Sequence, residues 1–116
     1  MTTNEPKMTN DDLDASDLLD TLKITKIERR TSAGGTWVQG TIGEHRFDAL
    51  VFPEHAEQPD YELDGSRISK LWVQRISDRA TVANFDRGWD VRPTTPIAGQ
   101  IVDLLGAGVA ETVYAD

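Results

Sequence analysis

Between Phe85 and Arg92 the chain sets two acids, two bases and a tryptophan within eight residues, Phe85-Asp86-Arg87-Gly88-Trp89-Asp90-Val91-Arg92. Asp86 and Asp90 are candidates for an acid–base pair or for oxygen ligands to a divalent cation. Arg87 and Arg92 carry the guanidinium forks that clamp a carboxylate or phosphate. The competing reading is structural: Asp86 fixes a turn at Gly88, Trp89 packs under a helix, and the charges pair locally. Mixed charges this close tend to satisfy one another, so the structural reading carries more weight. On a neighbouring strand Arg67 and Ser69 alternate to one side and Lys70 to the other. They line one pocket only if that strand carries a bulge, and a solvated edge is the expectation.

Other patterns fall short of a site. Asp60-Tyr61-Glu62-Leu63-Asp64-Gly65 resembles the first half of a calcium loop, but the twelfth position, which needs a bidentate glutamate, is Leu71. The two histidines, His45 in a hairpin loop and His55 after Pro53, have no zinc spacing, and no nucleophile-elbow serine accompanies them. Gly34-Gly35 lies between two strands and Gly106-Ala107-Gly108 follows its helix, so neither forms a phosphate cradle ahead of a helix. The chain has no cysteine, which removes disulfides, thiolate metal sites and a cysteine nucleophile. No catalytic, cofactor-binding or metal-binding residue is therefore assigned.

The elements that would position these residues are mostly strands. Lys23–Arg30 reads as one, with Ile24 and Ile27. Thr36–Ile42 and Arg46–Phe52 form a hairpin around Gly43-Glu44-His45, with Ile42 opposite Phe47, Gly40 opposite Ala49 and Val38 opposite Val51. One hairpin face is then apolar, while Trp37, Leu50 and Phe52 share the other with Gln39, Thr41 and Asp48. Trp37, Phe52 and Trp72 would make an aromatic platform there, unless a helix covers that face. Pro53–Gly65 is a polar excursion. Arg67–Ser77 reads as a long strand with Ile68, Trp72 and Ile76 on one side and Leu71 and Val73 on the other, covered on both faces for part of its length. Thr81–Phe85 completes a second hairpin of open register, and Gly88–Val91 adds a short strand. Thr95 caps a helix beginning at Pro96, with Ile97, Ile101, Leu104 and Leu105 as its stripe and Gly106 or Gly108 as its end. Val109–Tyr114 is left as a last strand or a frayed end.

The fold class that follows is α+β: an antiparallel sheet of four to five strands with one C-terminal helix packed on a face, preceded by a flexible acidic arm. The 116 residues suit a single domain over 23–116 after an arm at 1–22 that is disordered or transiently helical. The net charge of −8 divides into −5 over residues 1–22, zero over 23–92 and −3 over 93–116. No basic stripe stands out to neutralise phosphates, so a nucleic-acid partner is not expected. No apolar run approaches the ~18 residues that span a bilayer, and the polar, acidic N-terminus suggests a cytoplasmic protein.

Gly65-Ser66-Arg67-Ile68-Ser69-Lys70-Leu71, together with Phe85-Asp86-Arg87-Gly88-Trp89-Asp90, resembles a small bacterial domain family of unknown function over residues 36–105. The resemblance implies a compact single domain and assigns no activity or residue role. The reading of function is a non-enzymatic domain that binds another protein. Its candidate surface comprises Trp37, Phe52, Asp86, Arg87, Trp89, Asp90 and Arg92. The alternative is a small hydrolase or lyase, or a ligand-binding domain, built on the Asp86–Arg92 cluster. An exposed edge strand could also pair two copies, and nothing in the sequence decides for or against a homodimer.

Overall fold

Side chains that alternate between the two faces of a strand let a sheet bury one face and leave the other free, a pattern β2 (Thr36–Ile42) follows without interruption. The computed structural model describes residues 15–32 and 34–114. In it a short helix α1 (Ala15–Asp20) leads into β1 (Lys23–Arg29), β2 (Thr36–Ile42), β3 (His45–Val51), β4 (Ile68–Arg75), β5 (Thr81–Asp86) and β6 (Trp89–Val91), followed by helix α2 (Pro96–Tyr114). The six strands form one antiparallel meander in chain order. The expectation of four to five strands was too low, because both marginal edge segments, β1 and β6, join the sheet.

Helix α2 covers the face that carries Val38, Phe47, Ala49, Leu71, Val73 and Phe85. Its own buried stripe is Ile97, Ala98, Ile101, Val102, Leu105, Val109 and Ala110. Thr95 caps it as its side-chain type predicts, its Oγ1 accepting from the Ala98 N–H at 3.1 Å. The helix does not stop at Gly106 or Gly108 but runs to Tyr114. Each interior glycine costs about 1 kcal/mol of helix propensity, which burial of Val109 and Ala110 and docking of Tyr114 offset. The Tyr114 hydroxyl donates to the Val51 carbonyl at 3.2 Å and lies 2.8 Å from the hydroxyl of fully buried Thr36. Tyr114→Phe is expected to cost about 1 kcal/mol, measured by urea denaturation, because Thr36 keeps its burial and loses its partner.

The β2–β3 hairpin closes two residues tighter than its pattern predicts. Ile42 pairs with His45, Gly40 with Phe47 and Val38 with Ala49. Gly43 and Glu44, at φ 54° and 61°, make a two-residue turn with left-handed backbone at both positions. A slip of two leaves every side chain on its expected face. It also takes His45 out of the loop: the residue is 3% exposed, with Nδ1 2.6 Å from the Gly43 carbonyl.

β4 is not covered on both sides. A bulge sets Leu50 opposite Lys70 but Val51 opposite Ile68, so Ser69 is the extra residue. Ile68 thereby turns into the core with Leu71 and Val73, while Trp72 stays on the uncovered face. Ile76 lies beyond the strand and is 41% exposed. Leu18 of α1 is fully buried in the main core. The expectations for residues 1–14 lie outside the described residues. Among the described residues no helix is long and apolar enough to cross a membrane.

Candidate binding surface

With α2 on one face, the other face of the sheet is open, and the strand register orders its side chains into rows. One row runs Glu28, Trp37, Leu50, Lys70, Asp86, and the next runs Lys26, Gln39, Asp48, Trp72, Asn84. Trp37 and Trp72 are half-buried. The Trp72 indole N–H donates to Thr81 Oγ1 at 3.2 Å. Trp37, Trp72, Asp48, Lys70 and Asp86 line a shallow depression of about 180 Å³ on this face. Leu50 is 2% exposed although it points away from the helix. The Gly34-Gly35 loop closes over it: a Cβ on Gly35, which has φ +84°, would stand 3.1 Å from Leu50 and 3.0 Å from Phe52. That close approach is why the loop needs a glycine.

Beyond this row, where β3 leaves the sheet and β4 enters it, the face deepens into a cleft of about 580 Å³. The Ser69 bulge makes it, by bringing Arg67, Ser69 and Lys70 to line one space. The solvated edge expected for these three residues is not what forms. Arg67 enters β4 with φ +66° and its guanidinium donates to the Pro53 carbonyl at 2.9 Å. Arg87, at φ +54°, donates its backbone N–H to the Ser69 carbonyl at 2.9 Å and holds its guanidinium 6.0 Å from the Tyr61 ring centre. Arg30 lies 5.9 Å over Phe52 and donates Nε–H to the Gly34 carbonyl at 2.6 Å. Lys70 approaches Asp86 at 3.7 Å.

The outer wall is the polar excursion, and one carboxylate organises it. Glu62 is 7% exposed and accepts from the Ala56 N–H at 2.8 Å and from His55 Nδ1 at 2.7 Å. Burial pushes its pKa up, but the hydrogen bonds from Ala56, His55 and the Arg67 N–H outweigh burial and hold it below the ordinary glutamate range. Its negative charge is thus spent inside the loop. Asp60 lies on the 3-10 turn Pro59–Tyr61, and Leu63 is buried, so the calcium-like segment folds as a wall of the cleft.

The candidate residues from the sequence therefore separate. Phe52 and Arg87 meet in the cleft, and Trp37 and Asp86 meet in the shallow depression. Trp89 makes a T-shaped contact with Phe85 at 5.3 Å on the core side, and the Arg92 guanidinium lies 5.8 Å from the Trp89 ring centre. Asp90 is exposed on β6, while Asp86 approaches Lys70. Arg30 was read as a strand end, His55 as a lone histidine, and Tyr61 and Glu62 as half a calcium loop, so none was assigned to a site. The signal that could have found them is Glu62-Leu63 inside that loop, an acid beside an apolar residue that needs a core.

A family model described as "Domain of unknown function (DUF7678)" matches residues 36–110. The match covers β2 through most of α2 and reaches five residues past the resemblance read over 36–105. No curated protein and no solved structure matches the chain.

Proposed function

The chain belongs to this family of domains of unknown function, and from that premise we propose that it is a non-enzymatic protein-interaction domain that docks another protein on its open sheet face. The observation that supports this reading is the placement of α2 on the opposite face, which leaves Trp37 and Trp72 in reach of a partner. Large aromatic side chains that stay half-buried in the free domain lose little conformational freedom on binding, which suits them as anchors. The face is balanced in charge, with Lys26, Arg46 and Lys70 against Glu28, Asp48 and Asp86. A surface of mixed signs matches protein side chains better than a phosphate backbone. We place the domain in the bacterial cytoplasm, in line with the resemblance and the polar chain.

A photo-crosslinking side chain at exposed Gln39, between Trp37 and Thr41, is expected to yield a discrete protein adduct in cells. The same group at exposed Asp103, on α2, is expected to yield none. Trp37→Ala should weaken the captured partner's affinity by about 2 kcal/mol, roughly thirtyfold. Adducts that form equally from both positions, or from neither, would refute docking on this face.

A further inference from the structure

The cleft beside the docking face has a chemistry of its own. The chain carries a net charge of −8, yet four of its cations, Arg30, Arg67, Lys70 and Arg87, converge on this one space. Two acids line it with them, Glu54 and Glu62, and Glu62 is already satisfied by three donors. Arg67 and Arg87 make no salt bridge among the described residues. Both hold left-handed backbone, which is strained for a non-glycine residue and clusters where a site must be shaped. Leu50 and Phe52 line it from the sheet and Tyr61 from the outer wall, with guanidinium groups set over the two rings. A volume of about 580 Å³ falls within the range of small-molecule sites.

We infer that this cleft is a binding site for a small organic anion, one whose phosphate or paired carboxylates lie between Arg67, Arg87 and Lys70 and whose ring or apolar body rests on Phe52 and Tyr61. Planar guanidinium forks match both kinds of oxyanion in bidentate fashion, and the ammonium of Lys70 adds a point charge. The Ser69 hydroxyl adds a neutral donor at the bulge. The site is separate from the protein-docking reading, since it uses the cleft and not Trp37 or Trp72.

The test titrates the full chain with phenyl phosphate, phthalate and inorganic phosphate, followed by backbone amide shifts and calorimetry. Saturable shifts at Arg67, Ser69 and Arg87 are expected with at least one of the two aromatic anions, and weaker binding with inorganic phosphate. The tighter of the two aromatic probes identifies the headgroup. Arg87→Gln and Lys70→Gln should each weaken that probe at least ~tenfold, whereas Arg92→Gln, outside the cleft, should not. Lys70 sits on regular strand backbone, so its variant keeps the test valid if changes at the left-handed positions disturb folding. Failure of all three probes to saturate, or binding indifferent to Lys70→Gln and Arg87→Gln, overturns the inference. Loss of the Gln39 adduct would leave it standing.

Discussion

Phe47→Ala is expected to lower the unfolding free energy by about 3–5 kcal/mol, a large share of the roughly 5–15 kcal/mol typical of a domain. Phe47 is 1% exposed and is the largest fully buried side chain of the core. Its ring fills the space opposite Gly40 on the neighbouring strand, where a Cβ would come within 3.0 Å of it. Truncation leaves a void at the centre of the sheet's covered face that no neighbour can refill. Gly40→Ala is the informative second change. Its Cβ would also meet the Lys23 carbonyl, a backbone atom that cannot swing aside as a ring can. Gly40→Ala in the Phe47→Ala background should therefore destabilise further, with β1 loosening first. Urea denaturation gives the energies, and amide exchange in β1 reports the loosening. A double variant as stable as Phe47→Ala alone would show that β1 moves to accommodate the added methyl.

How much of this was readable in the sequence depends on which physical signal each element carries. Faces are set by a period of two, and the period survives a slip of two residues, so the core side of β2 and β3 was correct while their pairing was not. The tight turn at Gly43-Glu44 escaped notice because it needs Glu44, not only a glycine, in left-handed backbone. The end of α2 was misplaced because local propensity puts a stop at Gly106 or Gly108, whereas Val109, Ala110 and Tyr114 are held by contacts distant in sequence. The cleft was closed to sequence reading for a related reason. Strict alternation keeps Arg67 and Ser69 apart from Lys70, and a single bulged residue, invisible in the alternation, reverses that. Of the two candidate-surface residues that line the cleft, Phe52 was read as part of an aromatic platform and Arg87 as part of its own turn, because the Arg87 partners Tyr61 and Ser69 come from other segments.

Glu62→Ala is expected to cost about 3 kcal/mol, the upper end for hydrogen bonds made by a charged group, and to open the cleft. The carboxylate joins Ala56, His55 and Arg67, tying the start of the excursion to the residue just before β4. Without it those donors must find water, and Leu63 and Ile68, joined by the Leu63 N–H to Ile68 carbonyl bond at 2.9 Å, lose the wall that shields them. Glu62→Gln separates charge from shape, since it keeps the size of the side chain and one acceptor. The sign of the pH dependence follows from the lowered pKa. A carboxyl that ionises more easily folded than unfolded stabilises the fold fully above its unfolded value, near 4.5, and that contribution is lost as pH falls through the lower folded value. The wild-type chain should thus show an acid-side loss of stability, beginning below about pH 4.5, that Glu62→Gln lacks, and the two stability curves should converge toward low pH. Asp78 offers the internal control. Its two bonds to Arg75, helped by the Ala80 N–H, hold its pKa down to about 2 in an exposed turn far from the cleft. Carboxyl resonances should therefore show Asp78 still ionised well below the ordinary aspartate range, and removal of Glu62 should leave the Asp78 titration unchanged. Parallel stability curves for wild type and Glu62→Gln down to pH 3 would mean that the loop is held by packing of Leu63 and not by its buried carboxylate.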